Sequence, residues 1–491
     1  MPATAPLLPP DHPDRALLAA EVHARPPEPL AAPSRASYVA VRIEGEARSA
    51  ELAHISALCA QHGVAPPLAG ATQWAATRGP LRFKWERHGE FSSYTFFAPG
   101  LSPTPFAQPV VGLLPAGWLA GVPGLTVFAA HAKLARLASL MGAEPASDAH
   151  TSAHTSAHTS AHTSANLSGN ANAKASAITP SADPTLPSAA QLAAHFGANV
   201  VVGAGIGEGA GQAFTDFVIH GDGFARFLLL DREMTERQAG RMLQRLFEIE
   251  AYRMMALLAL PMARGLWQRL LATERTLASL TERIAHNPAG GDDDALLQQL
   301  MTLAAEVESA LAASQARFGA SRAYHALVIT RIDELREQRI KGLQTIDEFM
   351  ARRLSPAMAT CATVSQRLHD LSERVAQASS LLSTRVDITR QQQNQALLAA
   401  TARRAKLQLR LQQTVEGLSV AAIVYYLAGL VGYGTKALKA AGLPLSPDLV
   451  TGAAVPLLAV VAWWVLRRVH RRIAQDDAHD AVRAGSSRTF S

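Results

Sequence analysis

Cysteine is almost missing from this chain: 491 residues hold two, Cys59 and Cys361. They lie far apart, and no Cys-x-x-Cys or Cys/His spacing surrounds either. A disulfide framework and a zinc site are therefore not expected, and the pattern fits a reducing cytoplasm. Charge is scarce too, at 18% of residues against roughly a quarter in ordinary globular proteins. Such a deficit is expected where part of a chain meets lipid. The net charge is +6, but no Lys/Arg block is interleaved with aromatics, so nucleic acid is not an expected partner. The first residues, MPATAPLLPPDHPDR, lack both a basic and an apolar stretch. They do not read as a signal peptide, and the bulk of the chain is expected in the cytoplasm. At roughly 150 residues per domain, the length leaves room for two or three domains.

Two stretches lack charge altogether. The first is 417–435, between Glu416 and Lys436; the second is 449–466, LVTGAAVPLLAVVAWWVL. Each approaches the ~20 residues that cross a ~30 Å hydrocarbon layer as a helix. Arg403, Arg404, Lys406 and Arg410 precede the first, and Arg467, Arg468, Arg471 and Arg472 follow the second. Tyr433, Trp463 and Trp464 lie near the run ends, where an interface belt sits. The expectation is a transmembrane hairpin of the bacterial inner membrane, with a short external loop at 436–448 and a basic tail at 467–491. Both termini would be cytoplasmic by the positive-inside rule.

Upstream, residues 1–15 read as loose and 16–230 as an α+β domain. ASYVAVRIE, LRFKWER, EFSSYTFF, GANVVVGAG, AFTDFVIH and FARFLLLD read as strands, the last two joined across His220-Gly221-Asp222-Gly223. Residues 145–190 are low-complexity, with a repeated AHTS unit, and read as a disordered insert. From 232 to 416 the pattern is helical. Leu300, Ala304, Val307, Leu311 and Phe318 form one coiled-coil seam; Val364, Leu368, Leu371, Val375, Ala378 and Leu382 form another. Breaks at Pro261, at HNPAGG and at Pro356 predict helices near 233–260, 262–285, 293–353 and 358–416. The last is expected to run into the first apolar stretch.

Few motifs carry chemistry. VVVGAGIGEGAGQAF resembles a dinucleotide loop, but a strand rather than a helix follows it, so no helix N-terminus is offered to a pyrophosphate. It reads as a glycine turn in a sheet. KWERHGEFSSY brings Arg87, His88, Glu90 and Tyr94 together, and EVHARPPE offers Glu21, His23 and Arg25. If the two stretches meet, Glu21, His23, Arg25, Arg87, His88 and Glu90 make a polar cluster capable of acid–base work. The plainer reading of His88-Gly89 is a two-residue turn with Gly89 at positive φ. His150, His154, His158 and His162 recur every four residues and are weak metal candidates; a slipped repeat explains them better. Glu334 with Arg331, and Glu337 with Lys341, have the spacing of helix neighbours. Glu416 stands at the mouth of the first apolar run, where an oligomer would gather a ring of carboxylates that attracts cations.

EVHARPPE, WERHGEFSSYTF, TDFVIHGDGFAR, GRMLQRLFEIEAYRMMALLALP, RRLSPAMATC and LQQTVEGLSVAAIVYY together resemble one bacterial family, domain of unknown function 3422, over about residues 12–470. The resemblance implies membrane anchoring and carries over no catalytic residue. The build also resembles CorA-type magnesium transporters, but their Gly-Met-Asn motif is missing: the corresponding stretch reads GYGTKALKAAG. The expected fold is thus an α+β domain, a helical coiled-coil bundle and a C-terminal transmembrane hairpin. The expected role is a non-enzymatic, self-associating module at the bilayer with an unidentified protein partner. The alternatives are a CorA-like oligomeric cation channel and an enzyme using His23, His88, Glu21 and Glu90. No cofactor is expected, beyond a divalent cation in the channel reading.

Overall fold

The computed structural model describes residues 12–15, 26–68, 70–142, 186–286, 291–440, 448–449, 451–465 and 467–468. Glu21, His23, Arg25 and the four repeat histidines lie outside them. An N-terminal sheet domain is followed by a long helical region. The strands are β1 (Ser34–Arg42), β2 (Gln73–Arg78), β3 (Leu81–Arg87), β4 (Phe91–Pro99), β5 (Leu125–Arg136), β6 (Val202–Ile206), β7 (Gly211–Thr215), β8 (Ala225–Asp231) and β9 (Gln338–Arg339). The helices are α1 (Ala47–His62), α2 (Leu137–Met141), α3 (Ala189–Phe196), α4 (Glu236–Leu257), α5 (Ala259–His286), α6 (Asp293–Leu335), α7 (Ile346–Arg353) and α8 (Ser355–Ala440), with α9 at Thr451–Val465. Two compact units result: Met1–His286 with Gln298–Ser379, and Asn287–Leu297 with Ser380–Ser491.

In the first unit all nine strands form one sheet, ordered β2-β3-β4-β1-β5-β8-β7-β6-β9. Every pairing is antiparallel except β5 with β8. Strands alternate faces residue by residue. One face carries Val39, Val41, Phe83, Trp85, Tyr94 and Phe96, which pack on Ile55, Leu58 and Cys59 of α1 and on Trp118. Farther along the same face, Ala135, Phe214, Leu228 and Leu230 pack on Leu192 and Phe196 of α3. On the opposite face Tyr38 stacks on Phe247 of α4 at 4.8 Å, and Phe227 meets the same ring edge-on. Each such buried side chain contributes about 1.5–3 kcal/mol of transfer free energy.

The helices of this unit are tied to one another. Ser321 of α6 donates to the Ala256 carbonyl of α4 at 2.8 Å, and Arg367 of α8 pairs with Glu274 of α5 at 2.6 Å. The seam residues Leu300, Val307, Phe318, Val364, Leu368, Leu371 and Val375 are buried. Pro261 and Pro356 sit in the first turns of α5 and α8, where a missing N–H costs no hydrogen bond.

Several expected boundaries are corrected. The helix expected at 293–353 stops at Leu335, because Arg336 (φ 50°) and Gly342 (φ 90°) turn the chain. The chain then donates β9 to the edge of the sheet at β6, so the sheet is not closed within 16–230. A capping box of Thr345 and Glu348 restarts the helix as α7. Glu337 is therefore no helix neighbour of Lys341; its carboxylate accepts from the Ile346 and Asp347 N–H groups at 3.0 and 2.9 Å. The expected insert ends earlier than 190, since Ser188 and Gln191 box the start of α3. AFTDFVIH is strand only to Thr215. Phe217 takes φ 54°, and the expected turn forms at the tip of a nine-residue connection, 216–224, where the Gly223 N–H donates to the His220 carbonyl at 2.9 Å and the His220 N–H to the Phe224 carbonyl at 3.0 Å. Gly89 has no positive φ; His88 N–H closes that turn onto the Phe91 carbonyl at 2.8 Å. The glycine-rich stretch is the β6–β7 hairpin, with Gly207, Glu208 and Gly209 at positive φ.

In the second unit, Asp293 and Asp294 at the start of α6 pair with Arg385 and Arg390 at 3.0 and 2.8 Å. Beyond them residues 391–399 and 401–410 of α8 are exposed all round. The first apolar run, expected as 417–435, is helical, and α8 continues through the expected loop start to Ala440.

Candidate functional site

The KWERHGEFSSY residues fall at the β3–β4 turn and diverge from it. Arg87 points to the α1 face, where its guanidinium donates to Glu51 Oε2 at 2.9 Å. Glu51 has no exposed surface. Its Oε1 accepts from Trp85 Nε1 and from the Tyr94 hydroxyl, both at 2.7 Å. Burial, and then the carboxylate beside it, push the Tyr94 phenol well up. The arrangement is a closed knot that pins α1 to β3 and β4. Glu51 was legible in principle: it lies on the same helical face as Ile55, Leu58 and Cys59, an acid inside an apolar stripe.

His88 stacks on Phe91 at 4.3 Å, and its Nε2 is 3.3 Å from Ser93 Oγ. Glu90 faces the helices instead and accepts from Arg317 of α6 at 2.9 Å. Burial and the Glu90 charge raise the neighbouring Tyr324 phenol to about 12. Arg87, His88 and Glu90 therefore serve three different contacts and do not form one centre.

The opposite face of the sheet holds a charged network the sequence reading missed. Lys84 is buried; its ammonium donates to the Pro26 carbonyl at 2.9 Å and pairs with Glu86 at 3.0 Å. It also reaches Gln244 of α4 at 3.3 Å, and Gln244 donates to Glu248 at 2.7 Å. Glu248 pairs with Arg331 of α6 at 2.5 Å, Arg331 with Glu334 at 3.0 Å, and Arg245 with Glu334 at 2.9 Å. Acids and bases alternate along this chain, which runs from the sheet through α4 to α6. The cavity beside His88, Glu86 and Glu248 holds about 20 Å³, room for one water. Substrate pockets are usually some 300–1,000 Å³. The geometry here supports a structural network rather than a reaction centre. A roomier cavity of about 290 Å³ lies between α6 and α8, lined by Phe318, Ser321, His325, Met358 and Cys361. Burial raises the Cys361 thiol, so it is not poised as a nucleophile.

In TDFVIHGDG, His220 Nε2 lies 2.9 Å from Asp216 Oδ2, which also accepts from Asn199 at 2.8 Å. Asp216 Oδ1 takes the Val218 N–H at 3.2 Å. This dyad folds the 216–224 connection on itself. Among the described residues, no group of three or more His, Cys, Asp or Glu is placed to hold a metal ion.

Among the described residues one helix, α8, is long and apolar enough to cross a membrane, and its apolar stretch lies in the second unit. This stretch is largely exposed, with Ala428 buried. The second run, expected over 449–466, is helical over Thr451–Val465, about 22 Å at 1.5 Å per residue. The two helices lie side by side. Gly417, Ala421, Val424 and Ala428 face Val455, Ala459 and Trp463 across a groove of about 560 Å³. Arg467 and Arg468 sit over the rings of Trp463 and Trp464 at 4.9 and 5.0 Å. Glu416 lies within α8, one residue before this stretch.

No curated protein and no solved structure matches the chain. A family model does match residues 10–473, nearly the whole sequence, and by it the chain belongs to the family described as "Protein of unknown function (DUF3422)".

Proposed function

We propose that this protein is anchored in the bacterial inner membrane by its C-terminal helices and acts through its sheet domain and helical bundle in the cytoplasm. The observation that carries the reading is the apolar stretch of α8, long enough to cross a bilayer and largely exposed. Leu418, Ile423, Tyr425, Tyr426, Leu430 and Tyr433 there are all more than half exposed. Left in water, such a surface opposes folding; in lipid the same surface is the favourable one. Small residues at the α8–α9 contact suit close helix packing in lipid. Arginines over Trp463 and Trp464 suit the boundary of the bilayer. Basic residues on the outer flank of both runs favour cytoplasmic termini.

The module works by assembly rather than catalysis. Its charged network encloses only a water-sized cavity, and the exposed part of α8 carries Leu397, Leu398, Leu407 and Leu411 without cover. Self-association through this segment would bury them.

Membrane fractions washed with alkaline carbonate test the anchor. The wild-type chain should stay with the pellet. Leu427→Arg with Leu430→Arg should release it, each charge costing about 2.5–3.5 kcal/mol at mid-bilayer. Recovery of the unaltered protein in the wash would refute the anchor. Native mass in mild detergent tests the assembly: a monomer would refute self-association.

A further inference from the structure

Between the two apolar clusters on the α1 face of the sheet lies a belt of basic side chains. Cross-strand register builds it. Arg35 of β1 stands directly opposite Lys133 of β5, and Ser37 opposite His131. His131 in turn stands opposite Arg226 of β8. Residues in direct register point to the same face with Cβ atoms roughly 5 Å apart, and like charges so placed repel. His195 of α3 completes the belt: Lys133 Nζ lies 3.1 Å from its Nε2, and Arg226 donates to its carbonyl at 3.1 Å.

What distinguishes this belt is the missing counter-charge. Among the described residues, Arg35, Lys133 and Arg226 pair with no carboxylate, and the Nε atoms of Arg35 and Arg226 are buried without a hydrogen-bond partner. Asp222 is the carboxylate whose charge reaches His131. It is exposed, and its Oδ1 accepts the Phe224 N–H at 3.0 Å. Burial lowers the Lys133 ammonium, and burial with the neighbouring cations lowers His195. Elsewhere this fold meets its buried charges internally, as at Glu51 and along the Lys84–Glu334 network.

The belt also has an opening. Arg35, His131 and Lys133 line a cavity roofed by Ser102, Phe106 and Gln108 from the β4–β5 connection. The enclosed part is about 20 Å³. Phe106 takes φ 60°, rare for a bulky residue. Its ring lies under the Arg226 guanidinium at 5.2 Å and meets His195 edge-on at 6.0 Å. Phe106 thus covers the Arg226 and His195 end of the belt, and Lys133 reaches His195 directly.

We infer that this belt is a binding site for a phosphate-bearing small molecule, with Arg35, Lys133 and Arg226 neutralising the phosphate and Ser37, Ser102 and Gln108 as polar neighbours. Three fixed cations match a dianion better than a single carboxylate, and guanidinium groups meet phosphate oxygens in bidentate geometry. The enclosed space holds no more than a water, so the phosphate enters at the mouth and the Phe106 segment yields to it. The inference is independent of membrane attachment.

The test is calorimetric titration of the full-length protein in mild detergent with inorganic phosphate, pyrophosphate and, as the carboxylate control, acetate. Phosphate or pyrophosphate should bind saturably, and acetate at least tenfold more weakly. Lys133→Met and Arg226→Met should each weaken binding tenfold or more, while Lys133→Arg retains it. Melting without phosphate gives a second readout. Lys133→Met should melt higher than wild type because it relieves repulsion; a lysine needed only for structure would melt lower when removed. Absence of saturable phosphate binding, binding indifferent to both methionine variants, or equal binding of acetate would overturn the proposal.

Discussion

Glu51 and the Arg35–Lys133–Arg226 belt lie on the same face of the same sheet and handle charge withdrawn from water in opposite ways: Glu51 is fully buried, the three cations half-buried. Glu51 is saturated: two neutral donors and one guanidinium reach its two oxygens. The belt holds three cations with no carboxylate paired to them among the described residues. Charge drawn even partly out of water without a partner is unfavourable, so folds generally pair it. The saturated site is explained by the fold it holds together. The unsaturated site is explained by something that arrives from outside the chain.

The largest effect is expected from breaking the saturated side. Glu51→Ala strands the Arg87 guanidinium, the Trp85 N–H and the Tyr94 hydroxyl in the interior. It should cost about 3–5 kcal/mol in urea unfolding followed by tryptophan fluorescence. Glu51→Gln keeps an acceptor for Trp85 and Tyr94 and loses the ion pair, so its cost should be smaller, about 1.5–3 kcal/mol. Equal losses for the two variants would mean that the charge of Glu51, not its hydrogen bonding, carries the knot.

The contrast also separates what the sequence discloses from what it hides. Strands β3 and β4 were legible because aromatic and β-branched residues cluster on either side of His88-Gly89. The seams of α6 and α8 were legible because Leu and Val recur at four- and three-residue intervals. Membership in the family followed from long motifs spread over most of the chain. Partnerships across the sheet were not legible. Glu51 and Arg87 are far apart in sequence, and nothing local tells Arg87 to turn toward α1 while Glu90 turns toward Arg317. The belt is faintly visible in hindsight. In HAKLAR and ARFLLLD, His131, Lys133 and Arg226 occupy positions that alternate with apolar ones, but only the register of β1, β5 and β8 brings the three strands together. The end of α6 was missed because no Pro marks it. The Thr345-to-Glu348 capping box was the available signal.

Acid should sharpen the comparison by loading the belt further. His131 is buried against Ser37 at 2.9 Å and stacked on Phe224 at 3.9 Å, with Arg226 opposite and Asp222 nearby. Burial lowers its pKa from 6.5 to about 4. The unfolded chain therefore binds this proton at a higher pH than the folded one. The stability His131 contributes is present above about pH 6.5 and lost as pH falls toward 4, by up to about 3 kcal/mol. His195, also lowered, acts in the same sense. Urea midpoints at pH 7.5 and pH 5 should show the loss, and His131→Asn should lose less. An identical acid slope in that variant would remove His131 as its source.

The smallest effect is expected where a carboxylate is satisfied by backbone donors near solvent. Glu337 accepts the Ile346 and Asp347 N–H groups at the start of α7, doing with neutral donors what Glu51 does with a guanidinium. Burial raises its pKa despite those bonds. Glu337→Ala frees two helix N–H groups that water and the Thr345 cap can still reach, so it should cost about 1 kcal/mol. Hydrogen exchange should speed up at Ile346 and Asp347 and stay unchanged along β3. A loss as large as that of Glu51→Ala would mean that α7 and the β9 connection unfold together, and that the charge carried by Arg87 is not what separates the two carboxylates.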